Sequence, residues 1–148
     1  MQVQIKKSGT KPEDNCIFCK IVKGDIPSSK LYEDDRLISF LDIAPVNKGH
    51  ALIVTKGHYE TLLDVPDDDL TDIMATAKKI ARAMSSALAI DGFNLAMNNK
   101  KVAGQIVPHV HLHIIPRFKN DGFRTNWQHK KYADKEIEKY KEKIKSFL

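Results

Sequence analysis

Cysteine is scarce in this 148-residue chain, which holds only Cys16 and Cys19, with two residues between them. A small secreted domain built on disulfides needs more cysteines at longer spacings, so a lone C-x-x-C points instead to metal binding or redox work inside a cell. Long apolar runs are missing too. No stretch approaches the roughly 20 residues that span a bilayer, and Met1 to Asn15 lacks the apolar core of a signal peptide. The expectation is a soluble, cytoplasmic protein with no membrane partner. The net charge of +5 at pH 7 would suit an anionic partner, but many of the lysines fall in the last twenty residues among glutamates. That is the pattern of a solvated helix face, and no nucleic-acid partner is expected. The chain also lacks internal repeats and low-complexity tracts.

What is present is enough apolar material, 42% of residues, to close one core. Residues 1–14 read as a loose leader, and 15–148 as a single domain. Ile17, Phe18, Ile21 and Val22 recur at helical spacing and stop at Gly24. Lys30 to Glu33, Arg36 to Leu41 and His50 to Thr55 are short β-prone runs separated by Asp34-Asp35 and by the segment from Pro45 to Gly49. Leu70, Ile73, Met74, Ala77, Ile80, Ala81, Met84 and Leu88 form a stripe at spacings of three and four behind an acidic start. This predicts a long amphipathic helix from about Asp67 to Ala89, closed by Asp91-Gly92. Phe93 to Met97 and Val107 to Ile115 add two strands, and Ile137, Tyr140, Ile144, Phe147 and Leu148 predict a C-terminal helix over about 134–148. Short turns between strands, with helices between and after them, indicate an α+β fold: an antiparallel β-sheet covered by helices.

Chemistry concentrates in Pro108-His109-Val110-His111-Leu112-His113-Ile114-Ile115-Pro116. Strand alternation places His109, His111 and His113 on one face and sends Val110, Leu112 and Ile114 into the core. Packing alone does not account for three histidines in a row on one face. They can ligate a metal, as histidines at i and i+2 on a strand do, but the carboxylate that usually follows such a pair is missing before Asp121. Alternatively, one is a nucleophile toward phosphorus and the others orient it or hold phosphate oxygens. The cysteine pair is open to three readings: a redox couple, two buried small residues, or half of a tetrahedral zinc site.

The run His-Val-His-Leu-His resembles the signature of the histidine triad family. Supporting segments occur in the matching order: Cys-Ile-Phe-Cys-Lys-Ile at 16–21, Phe-Leu-Asp-Ile at 40–43, Gly-His-Ala-Leu-Ile-Val at 49–54 and Gly-Gln at 104–105. The resemblance covers about Asn15 to Arg117 and is greatest to the compact nucleotide-binding branch. It implies a homodimer that hydrolyses purine nucleoside phosphoramidates or related nucleotidyl adducts through a covalent nucleotidyl-histidine. On it, His111 is the nucleophile, His113 contacts phosphate, His109 supports its neighbours and His50 is the further histidine beside the triad. Asp42 holds the ribose hydroxyls, Ile43 lines the base pocket, and Asn98, Gly104 and Gln105 place amides near the phosphate. The same resemblance implies structural zinc on Cys16, Cys19, His58 and His109. It also departs from the family at Ile106, where many members carry a hydroxyl residue after Gly-Gln. A nucleotide-binding regulatory protein with vestigial turnover is therefore the alternative function. No role transfers to Trp127, and His129 reads as a plain exposed histidine.

Overall fold

The computed structural model describes residues 12–124 and 127–148; most of the expected leader lies outside them. Helix α1 (Ile17–Lys23) is the first element among the described residues and closes at Gly24, whose φ of 86° supplies the left-handed stop. Strands β1 (Lys30–Glu33), β2 (Leu37–Leu41) and β3 (Ala51–Thr55) follow, then α2 (Asp67–Leu88), β4 (Gly92–Ala96), β5 (His111–Arg117) and α3 (Glu136–Lys145). Two short 3-10 turns, Leu62–Asp64 and Lys101–Ala103, were not legible as periodic patterns.

The five strands form one antiparallel sheet in the order β1-β2-β3-β5-β4, so the last strand inserts between β3 and β4. Alternation then sorts the two faces. Leu37, Ala51, Ile53, Leu112 and Ile114 pack against Ile73, Ala77, Ile80, Ala81 and Met84 of α2. Each larger side chain buried there contributes about 1.5–3 kcal/mol relative to exposure. The opposite face carries Ile38, Phe40, Leu52 and Val54 and is covered only in part, by Cys16, Phe18 and Cys19 at α1. A seven-residue helix over a five-stranded sheet leaves room, and His111 and His113 stand in that room.

Two expectations need correction. The long helix ends at Leu88 with Ala89 in the left-handed region, φ 49°, so an alanine and not Asp91-Gly92 closes it. The last strand starts at His111 and not near Val107. Pro108 has no N–H for a ladder, and the His109 N–H turns back onto Val107 O at 2.8 Å, so the chain bends before pairing begins. His109 consequently precedes the strand, although its ring remains on the α1 side of the sheet beside Phe18.

Candidate functional site

Phe18 of α1 and the β5 histidines build the site together. The Phe18 ring meets His111 edge-on at 5.0 Å and His109 at 5.9 Å. A cavity of about 390 Å³ opens here, walled by Ile17, Phe18, Ile21, Phe40 and Leu52, with Asp42, His111 and His113 among its polar members. An apolar slot with a few convergent polar groups is the usual form of a small-molecule site. A second groove of about 520 Å³ lies between α2 and β4, where Met74, Ala77, Ala81, Phe93 and Leu95 are joined by Lys78, Arg82, Ser85 and Ser86, and none of the triad histidines lines it.

Hydrogen-bond partners determine which ring nitrogens carry protons, because a carbonyl can only accept. His111 Nδ1 lies 2.6 Å from the His109 carbonyl and therefore donates. Its Nε2 keeps a lone pair. Burial also lowers the pKa of His111, favouring the neutral ring that a nucleophile requires. His113 is pushed down to about 4, first by burial and then by the neighbouring His111 and His50. His50, buried at the end of the β2–β3 loop, has Nε2 2.9 Å from His113 Nδ1 and 3.8 Å from Asp42 Oδ2. Asp42 Oδ1 accepts the Ala44 N–H at 2.8 Å, which orients the carboxylate at the cavity.

A second cluster lies beside the first. His109 Nε2 donates to Thr55 O at 2.8 Å, leaving the Nδ1 lone pair 3.3 Å from Cys16 Sγ and 3.5 Å from Cys19 Sγ. His58 Nδ1 is 3.3 Å from Cys19 Sγ, with its Nε2 facing Glu13 at 3.5 Å. These four donor atoms all lie within 4.8 Å of one another. Tetrahedral zinc with bonds of about 2.0–2.3 Å spaces its ligand atoms roughly 3.5 Å apart, so the residues fit that ion. Burial raises the Cys19 thiol to about 11, and a bound dication would oppose that shift by favouring thiolate. Asp42, His50 and His113 also approach within 4.8 Å. There, however, the Val46 N–H occupies His50 Nδ1 at 3.1 Å and leaves the proton on Nε2, where a metal would have to bind.

The fold therefore brings Asp42, Ile43, Asn98, Gly104, His111 and His113 to one cavity, with His50 behind His113. Gln105 does not line it. Its side chain accepts the Lys100 N–H at 2.7 Å and donates to Glu60 O at 2.7 Å, so it ties down the loop instead of presenting an amide to phosphate. Gly104 sits at φ 91°, where glycine relieves backbone strain, and its carbonyl accepts from Asn98 Nδ2 at 3.3 Å. Ile106 stands at the rim, 92% exposed. Trp127 is exposed and not part of the cavity lining. Sequence reasoning missed Phe18 as a wall of the site, since its spacing reads simply as core, and missed Val46 and Thr55, whose backbone groups carry no residue signature.

Comparison with known proteins places the sequence and the fold among relatives. The HIT domain model matches residues 23–120. Adenosine 5'-monophosphoramidase HNT1 of Saccharomyces cerevisiae is 49% identical over 113 residues, covering 76% of this chain and 69% of the yeast protein. Among solved structures, a HIT family member from Bacillus subtilis superposes with a TM-score of 0.85 at 40% identity, over 91% of this chain and 98% of that one. A Zn-bound histidine triad family protein from Mycobacterium smegmatis matches with a TM-score of 0.69 at 34% identity, over 90% and 98% of the two chains. A histidine-bearing strand with one proton-free imidazole nitrogen at an apolar cavity, and a family match across residues 23–120, lead to one conclusion: the chain belongs to the HIT domain family.

Proposed function

We propose that this chain hydrolyses purine nucleoside phosphoramidates or related nucleotidyl adducts at the α-phosphorus through a covalent nucleotidyl-His111. The observation that carries the reading is the His111 ring: Nδ1–H is tied to a carbonyl at 2.6 Å, and the remaining lone pair belongs to a residue lining the cavity. The base lies against Ile17, Phe18, Phe40 and Ile43, and Asp42 accepts from the ribose hydroxyls. His113, Asn98 and the Gly104 backbone meet the phosphate. In the first displacement His111 Nε2 forms a bond to phosphorus as the bond to the leaving group breaks, and that group departs with the electron pair, an amine taking up a proton from solvent as it leaves. Water then attacks phosphorus, the P–N bond breaks, and the imidazole regains its lone pair as a proton passes to solvent. His50 supports His113, while His109 supports His111 through its carbonyl.

Zinc on Cys16, Cys19, His58 and His109 would supply no chemistry in this scheme. It would fasten α1 to the segment before β5 and so fix the carbonyl that orients His111. The chain works as a symmetric dimer through the apolar groove between α2 and β4. Exposed Ile106 at the rim favours a second reading, a nucleotide-binding regulator with vestigial turnover, because an alkyl group cannot hydrogen-bond a departing atom.

Rapid alkaline quenching of a reaction with adenosine phosphoramidate separates the two. A hydrolase yields protein heavier by one adenylyl group, labile to mild acid and absent in His111→Ala, which still binds adenosine monophosphate. An adduct mapped to another residue, or full turnover by His111→Ala, would overturn the mechanism. Turnover at the uncatalysed rate with nucleotide binding intact would leave the regulatory reading.

A further inference from the structure

The loop between β2 and β3 carries no strand pairing, and Ile43, Ala44, Pro45, Val46 and Lys48 are all exposed, yet it delivers one hydrogen bond that the active-site histidines depend on. An amide N–H only donates. The Val46 N–H at 3.1 Å therefore finds a lone pair on His50 Nδ1, and neutral His50 carries its proton on Nε2. That proton points at His113 Nδ1, 2.9 Å away, so His113 Nδ1 must accept. The proton of neutral His113 is left on Nε2. One backbone amide thus decides that the cavity-lining His113 offers a donor, which suits an anionic phosphate oxygen, and not a second lone pair that would repel it.

The Asn47 side chain ties this loop to β5 and to the segment after it. Asn47 Nδ2 donates to Pro116 O in β5 at 2.8 Å and to Asp121 Oδ2 at 2.9 Å, while the Asn47 carbonyl takes the His50 N–H at 3.0 Å. Asp121 is itself immobilised. Its side chain is only 6% exposed and accepts from Arg117 Nε at 2.7 Å and Nη2 at 3.0 Å, and from the Phe118 and Phe123 amides at 3.2 and 3.0 Å. Arg117 Nη1 reaches on to Asn94 Oδ1 in β4 at 2.8 Å. A carboxylate held by five donors, Asn47 included, is a rigid anchor, and Asn47 is its link to the loop.

We propose that Asn47 is a positioning residue which, clamped between Pro116 and Asp121, holds the Val46 amide on His50 and so sets the tautomer of His113. The inference rests on the placement of His113 at the phosphate given above, and the test separates the two. Histidine side-chain nitrogen NMR of the free protein at pH 7.5 reads the tautomers directly. The wild type is expected to show a proton-bearing Nε2 and a bare Nδ1 on His113. In Asn47→Ala the two forms should mix, kcat for adenosine phosphoramidate should fall roughly tenfold, and KM should stay within about twofold, the signature of a group misaligned for the transition state alone. Asn47→Gln, which returns the carboxamide one methylene further out, should recover part of both signals. The tautomer is read on folded molecules, so a modest loss of stability does not blur it. An unchanged His113 signature in Asn47→Ala overturns the proposal. A mixed signature with unchanged kcat upholds the control by Asn47 and instead removes His113 from the phosphate.

Discussion

At the scale of single residues, burial decides more than identity does. His109 and His113 are each pushed down to about 4, chiefly by desolvation, against about 6.5 in an unfolded chain. The folded state thus binds fewer protons than the unfolded one across that window. Stability from these rings is complete above pH 6.5 and is lost as pH falls toward 4, at no more than about 1.4 kcal/mol per pH unit each. Thermal melts should be flat from pH 8 to 7 and descend between pH 6.5 and 4.5, above the range in which Glu33, held near 2 by Lys30 and Lys56, can contribute. The descent should be shallower in His113→Gln. A flat profile, or the same slope in the variant, would show that the ring is not held neutral by the fold. The residue types at the site were legible because three histidines on alternate positions exceed what packing needs. Their tautomers were not, since Val46, Thr55 and the His109 carbonyl act through backbone atoms that every residue possesses.

At the scale of elements, α1 is too short to be stable alone, as helices under about 12 residues are marginal in water. It is held by Phe18 and Cys19 against the sheet and by the two sulfurs near His58 and His109. If zinc joins those four residues, a strong chelator should lower the melting temperature. It should also raise hydrogen exchange in α1 and the 107–110 segment well before it affects α2, whose buried stripe needs no ion. Cys16→Ser with Cys19→Ser should reproduce that change in the absence of chelator. Elemental analysis finding no zinc in protein purified without chelator would remove the site. The strand starting at His111 illustrates why element boundaries escape the sequence: alternation persists through His109, but Pro108 and the Val107 turn stop the ladder.

At the scale of the whole molecule, the unused apolar surface is informative. Phe93 and Leu95 on β4 are 47% and 38% exposed, and Met74 on α2 is 54% exposed, all around one groove. This patch is the face through which the proposed dimer would pair. Light scattering should give the mass of two chains at micromolar concentration, and Leu95→Arg should shift it toward one. A monomer mass for the wild type across that range would refute the dimer. Helix α3, by contrast, leaves Ile137, Tyr140 and Ile144 more than half exposed, so its amphipathic stripe was readable while its partner was not.

The sequence alone determined the main helices and strands, the identity of the triad and the C-x-x-C spacing of Cys16 and Cys19, because periodicity and residue chemistry are local properties of a chain. Tertiary structure decided what those parts do to one another. Inserting β5 between β3 and β4 brings His109 to within 3.5 Å of cysteines 90 or more positions away, and sets His113 against His50 across 63. It also turns Gln105 away from the cavity that its place in the motif had promised it. Proton placement, burial and metal geometry depend on distances between remote segments, and those distances exist only once the two faces of the sheet have been filled.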